Sequence, residues 1–133
     1  MTLRPYRSVL YIPGSRARAL DKARTMPVDS IIFDLEDAVA LEEKASARAV
    51  LVAHLLDGGF GSRSQIIRIN GLDTPWAAED IAAIAEVRPE AVLLPKVDNA
   101  LMIAELGAVM DRYAGFENTQ IWAMMETPRG ILN

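Results

Sequence analysis

The chain has 133 residues, enough for one domain with a real core, and 51% of them are hydrophobic. Its 18 acids against 14 bases leave a net charge of −4 with no long single-sign run, which disfavours a nucleic-acid surface. The absence of cysteine excludes disulfides, thiolate zinc sites and cysteine nucleophiles, and no apolar run approaches the roughly 20 residues that span a bilayer. The N-terminus lacks the charged-then-apolar plan of a signal peptide, so a soluble, cytoplasmic protein is expected.

In chain order, the apolar run 8–12 predicts a first strand. Pro13-Gly14-Ser15 then turns into a helix that Ser15 can cap and that ends before Pro27. The run 30–33 predicts a second strand, which runs straight into Asp34-Leu35-Glu36-Asp37. In the helix after it, Leu41, Ala45, Ala49, Val52 and Leu56 form one apolar stripe. Glu42 and Glu43 occupy its first turn and Gly58-Gly59 stops it, as the helix dipole favours. A third strand over 65–69 carries Arg68 near its end, and Thr74-Pro75 reads as N-cap and first position of a third helix. The run 91–94 predicts a fourth strand followed by Pro95-Lys96. After Asp98 or Asn99 as cap, Met102, Ile103, Leu106, Val109, Met110 and Tyr113 predict an amphipathic fourth helix. A fifth strand over 120–125 leads to Glu126, and Thr127-Pro128 opens another helix.

Continuous rather than alternating apolar runs indicate strands buried on both faces, hence a parallel sheet. Repeated β/α units give an open doubly wound sheet or a (β/α)8 TIM barrel. A full barrel needs about 250 residues. The chain breaks off on the opening turn of a helix, so the expected fold is the N-terminal five strands of such a barrel, with residues 1–133 the first part of one domain.

Functional groups of parallel β/α folds gather at the carboxyl ends of the strands. Here each strand end carries charge: Arg16 and Arg18 with Lys22, then Asp34, Glu36 and Asp37, then Arg68, Lys96 and Glu126. The three carboxylates repel one another unless a cation or a basic side chain lies among them. An oxygen-ligand site for a hard divalent ion is the simplest reading, against a capping acid followed by solvated charges. Arg18 and Lys22, one turn apart after a glycine turn, suit a phosphate-bearing ligand or are simply solvated. Arg68 at a strand end must meet a carboxylate, either as a structural ion pair with Asp34 or Glu36, or a bound oxyanion. Lys96 is either a Schiff-base lysine or the ion-pair partner of nearby acids. Glu126 is a metal ligand or a capping acid. His54, late in the second helix, is given no role.

Five motifs, Arg7-Ser-Val-Leu-Tyr-Ile-Pro-Gly-Ser15, Asp34-Leu-Glu-Asp-Ala-Val39, Arg68-Ile-Asn70, Leu94-Pro-Lys96 and Glu126-Thr-Pro-Arg-Gly130, occur in one order over nearly the whole chain. Together they strongly resemble the citrate lyase β-subunit-like family, which groups with the malyl-CoA and citramalyl-CoA lyases in the HpcH/HpaI aldolase superfamily. The resemblance implies a magnesium-dependent TIM barrel, a trimer or hexamer, that cleaves or forms a carbon–carbon bond beside a CoA thioester. It implies Glu126 as a carboxylate ligand to Mg²⁺, with the second carboxylate on the next strand. Arg68 would bind the keto-acid end of the substrate and stabilise its oxyanion, and Glu36 and Asp37 would be acids near the metal, Asp37 the candidate base. Arg18, Lys22 and Ser15 would contact CoA, and Lys96 would position the acids.

Three other classes compete. Phe33-Asp-Leu-Glu superficially resembles the Asp-x-Asp pair of haloacid dehalogenase phosphatases, but it lies on the second strand, Glu36 replaces the second aspartate, and Ala38 stands where Thr or Val is expected. Keto-acid aldolases acting on free pyruvate-type substrates share the barrel and metal without needing the Arg18–Lys22 loop. A binding or regulatory module without catalysis is the third.

Overall fold

A computed structural model describes residues 4–133. Five strands, β1 (Val9–Pro13), β2 (Ser30–Asp34), β3 (Ser64–Arg68), β4 (Ala91–Leu94) and β5 (Gln120–Ala123), form one parallel sheet in the order β1-β2-β3-β4-β5. Each strand pairs with the next in sequence, without the reversal of order that marks a doubly wound sheet. Between them run α1 (Ala17–Ala23), α2 (Lys44–Asp57, entered through a 3₁₀ turn at Leu41–Glu43), α3 (Ala77–Ile84) and α4 (Ala100–Met110), and α5 (Pro128–Leu132) follows β5. None of the described helices is long and apolar enough to cross a membrane.

Alternation along each strand sorts the core into two layers. Ile31, Phe33, Ile67, Val92 and Leu94 face the helices, and they belong to the same buried cluster as Leu20, Leu51, Ile81 and Leu106. Ile32, Ile66, Ala91 and Leu93 face the other way, with Trp122 and Met124 packed against them. That second face is concave. Five flat strands would set β1 and β5 about 19 Å apart. Yet the Tyr11 hydroxyl lies 3.7 Å from Met124 Sδ, and Tyr6 meets Trp122 edge-on at 5.0 Å.

Burial on both faces holds for β2 and β4 throughout and for β3 apart from Gln65, but not for the edges. Val9 and Tyr11 of β1, and Gln120 and Ala123 of β5, are exposed, because an edge strand has a neighbour on one side only. Three helix expectations change. Ser15 caps nothing: it sits in the turn after β1, and α1 starts at Ala17 with Arg16 before it and no side-chain cap. Thr74 does not start α3, because its hydroxyl donates to Gly71 O at 2.7 Å and closes a turn there. On α2 the stripe of Leu41, Ala45, Ala49, Val52 and Leu56 lies on the outer side, half-buried or exposed. The buried face instead carries Lys44, Ala47, Arg48, Leu51 and Leu55. Asn99 caps α4 by accepting from Met102 N, and Gly58, at φ 80°, ends α2.

Thr127 caps α5 through Gly130 N, with Pro128 at the first position. Gly130 lies against the loop after β4, so that a Cβ there would sit 2.0 Å from Val97 O. Gly130→Ala is therefore expected to cost about 1–3 kcal/mol through overpacking. The readout is a lower thermal midpoint; an unchanged midpoint would mean that α5 does not press on Val97.

Candidate active site

The register of the sheet assembles the first element of the site. Asp34 and Arg68 are paired partners at the ends of β2 and β3, so both side chains leave the sheet on the same face. Arg68 grips Asp34 with two parallel bonds, Nε to Oδ1 and Nη2 to Oδ2, each 2.7 Å. Asp34 also accepts the backbone N–H groups of Glu36 (2.9 Å) and Ala38 (2.8 Å), which folds the loop after β2 around its carboxylate. Burial alone would push the Asp34 carboxyl up, but the guanidinium and the two amides outweigh it and hold it below the ordinary carboxylate range. The same bond raises the Arg68 guanidinium, which lies 5.1 Å over the ring of Tyr11. One donor of the fork, Nη1, stays off Asp34 and faces Met124 Sδ at 3.4 Å.

Glu36 carries the second element. Its Oε2 takes a hydrogen bond from Lys96 Nζ. Its Oε1 is buried and has no hydrogen-bond partner, the nearest cation being Arg68 Nη1 at 3.5 Å. Lys96 sits at φ 51°, a left-handed conformation that a non-glycine residue adopts only when its surroundings impose it. Its N–H donates to Glu126 Oε1 at 2.9 Å, and its Nζ also lies 3.4 Å from Asp37 Oδ1. Lys96 is thus the ion-pair partner of Glu36 and Asp37, and the bond it donates to Glu36 raises its ammonium above the ordinary value, opposite to what a Schiff-base lysine requires. Glu126 is exposed and does not cap α5, since Thr127 does.

The structure thus brings Arg68, Glu36, Asp37 and Glu126 together, with Lys96 as the link between β2, β4 and β5. The reading of Asp34, Glu36 and Asp37 as one cation site is corrected. Arg68 and Lys96 relieve the repulsion, Asp34 is consumed by its ion pair, and Asp37 points to solvent. Among the described residues no three metal-ligating side chains cluster. Ser15, Arg18 and Lys22 lie outside this network: Arg18 and Lys22 are exposed, and none of the three side chains bonds to a described residue. Beside the network opens a cleft of about 700 Å³, with Glu36, Asp37 and Lys96 on its rim and Val39, Trp76 and Met102 among its walls.

Two buried cations escaped the sequence reading. Lys44 is 5% exposed and donates to three backbone carbonyls, those of Leu35 (3.1 Å), Glu36 (2.8 Å) and Val39 (3.2 Å). Arg48 bonds the fully buried Asp80 (2.9 Å), whose other oxygen holds both the backbone N–H and the side-chain amide of Asn70. The available signal was a lysine in the first turn of a helix, where the dipole disfavours positive charge.

Known proteins resemble the chain in sequence and in overall shape. A family model described as HpcH/HpaI aldolase/citrate lyase matches residues 7–133. A (3S)-malyl-CoA thioesterase of Cereibacter sphaeroides is 48% identical over 129 residues, 97% of this chain and 43% of that protein. Citrate lyase subunit beta of Leuconostoc mesenteroides is 37% identical over 132 residues, 96% of this chain and 44% of that one. The solved structure of CitE from Mycobacterium tuberculosis with magnesium, acetoacetate and coenzyme A superposes with a TM-score of 0.76 at 31% identity, over 98% of this chain and 43% of that one. The chain spans less than half the length of these relatives.

Proposed function

The chain belongs to the HpcH/HpaI aldolase/citrate lyase family, and from that premise we propose that it serves a magnesium-dependent carbon–carbon lyase. The substrate is a 3-hydroxyacyl thioester of the citryl-, malyl- or citramalyl-CoA type, and the products are an acetyl thioester and a 2-keto acid. The curled sheet is then the first five strands of a TIM barrel, the whole enzyme a trimer or hexamer. The observation that carries the reading is the convergence of Glu36, Arg68, Lys96 and Glu126 at the carboxyl ends of neighbouring strands.

The residues fit magnesium. The donor they leave for it is a carboxylate oxygen, the second oxygen of the exposed Glu126, whose Oε1 accepts the Lys96 N–H, and Mg²⁺ takes one or two carboxylates while keeping several waters. When bound, the ion supplies Lewis-acid polarisation of the keto oxygen and its neighbouring carboxylate. Arg68 offers Nη1 to the developing charge, with its plane locked by Asp34. Glu36 Oε1 accepts the proton of the substrate hydroxyl as the carbon–carbon bond breaks. The electron pair of that bond passes to the thioester enolate, whose carbon takes a proton that Asp37 relays from solvent, while Glu36 returns the hydroxyl proton to solvent. In condensation Asp37 takes a proton from the acetyl methyl instead. Lys96 keeps both carboxylates in place. Arg18, Lys22 and Ser15 remain the proposed contacts to the phosphates of free CoA.

Thioester hydrolysis is a second reading, favoured by the higher identity to the malyl-CoA thioesterase than to the citrate lyase subunit. Malyl-CoA separates the two in the full-length enzyme. Lyase action releases glyoxylate and no free thiol; hydrolysis releases free thiol and malate. Turnover is expected with Mg²⁺ and lost with EDTA. Absence of turnover on malyl-, citramalyl- and citryl-thioesters would overturn both readings, and cleavage of a free hydroxy acid without CoA would favour the keto-acid aldolases.

A further inference from the structure

Among the described residues, Lys44 is the one buried ammonium, and the reaction above does not use it. It opens α2 with its side chain buried, and all three of its N–H donors are spent on the carbonyls of Leu35, Glu36 and Val39. With no free donor it can neither bind a substrate anion nor move a proton. Those carbonyls belong to the loop that carries Glu36 and Asp37, and the same loop is tied from its other side by Asp34, which accepts the Glu36 and Ala38 amides. Val39 N closes the turn on Glu36 O at 3.1 Å, the oxygen that Lys44 also holds. The loop is therefore gripped by a carboxylate through its N–H groups and by an ammonium through its C=O groups. The Trp76 ring centroid lies 5.3 Å from the ammonium, and both side chains line the cleft.

We propose that Lys44 is a positioning residue that fixes the backbone of Leu35–Val39, so that Glu36 meets Lys96 and keeps its Oε1 turned into the site. An ammonium suits the task because it supplies three donors from one point, with the cationic character that strengthens each bond in a buried setting. An apolar side chain of similar length would leave the carbonyls of Leu35 and Val39 without the ammonium and Glu36 O with the Val39 N–H alone, and the loop would rearrange to reach water. Glu36 and Asp37 would move with it.

The inference rests on the proposed lyase reading for its kinetic consequence and on geometry alone for its structural one, so the test has two arms. In the full-length enzyme, Lys44→Met is expected to speed amide exchange at Glu36, Ala38 and Val39 by at least about tenfold, the equivalent of one lost hydrogen bond. Ile66 and Ile67 in β3 should stay protected and report that the variant folds. Turnover of malyl-CoA should fall about 100-fold, as for a displacement of roughly 1 Å at the reacting groups, with KM changed less than threefold. Lys44→Arg, which keeps charged donors, should restore part of both. Unchanged exchange at the three amides in Lys44→Met overturns the proposal, and so does accelerated exchange with full kcat. If the unmodified enzyme turns over no thioester, the lyase reading fails and the exchange arm alone decides the role of Lys44.

Discussion

Replacing Asp34 with alanine is expected to destabilise the fold by about 3–5 kcal/mol, because it strands a buried arginine. Arg68 would lose both bonds of its fork in a setting where its side chain is 9% exposed, and the Glu36 and Ala38 amides would lose their acceptor. Urea denaturation at constant slope reads the change as a shift in midpoint. A loss under about 1 kcal/mol would mean that water reaches Arg68 freely. Adding Arg68→Met to Asp34→Ala should recover part of the loss, since the uncompensated charge is then gone. The dependence on pH has a definite sign. Asp34 is held below the ordinary range, so the unfolded chain binds its proton more readily. Its contribution is complete above an unfolded value of about 3.9 and is lost as pH falls through the lower native value. An Asp34→Asn variant should accordingly lose less stability than the parent on acidification below about pH 4; equal losses would contradict the pairing.

The second large effect is on catalysis. Glu126→Gln keeps an oxygen acceptor for the Lys96 N–H, and so the strained backbone at φ 51° survives while the charge is removed. On the proposed lyase reading, turnover of the full-length enzyme should fall about 10³-fold, the loss of several kcal/mol of Lewis-acid stabilisation. Half-saturation by Mg²⁺ should rise. Thermal stability should change little, because Glu126 is exposed. Unchanged turnover would remove Glu126 from the proposed metal site.

The strand ends were legible because their signal is local: an apolar run stops, a charged residue follows, and parallel β/α units place all such ends on one edge. Asn99, Thr127 and Gly58 were legible for the same reason, each answering to the helix end beside it. The face of α2 was not. Leu41, Ala45, Ala49, Val52 and Leu56 have the spacing of a core stripe, yet the buried face includes two cations. Lys44 is buried there because three carbonyls of the β2–α2 loop satisfy it, and Arg48 because Asp80 arrives from α3, more than thirty residues on. Spacing ranks residues by their own hydrophobicity and carries no information about partners brought by the fold. For Asp34 the sequence left two readings, a cation site with its neighbouring acids or an ion pair with Arg68, and the register decides for the pair by setting Arg68 opposite it. Thr74 was misread because its hydroxyl had a nearer partner in Gly71 O.

The central claim, that one cation-binding site forms where Glu36, Arg68, Lys96 and Glu126 meet, is tested most directly with Mn²⁺, which takes the same oxygen ligands as Mg²⁺. Paramagnetic broadening should erase the amide signals of Glu36, Lys96, Val97 and Glu126 at one and the same metal concentration. Signals at the opposite end of the strands, Ser8, Ser64 and Gln120, should persist. Broadening centred on that opposite end, or spread evenly over the surface carboxylates, would contradict the claim.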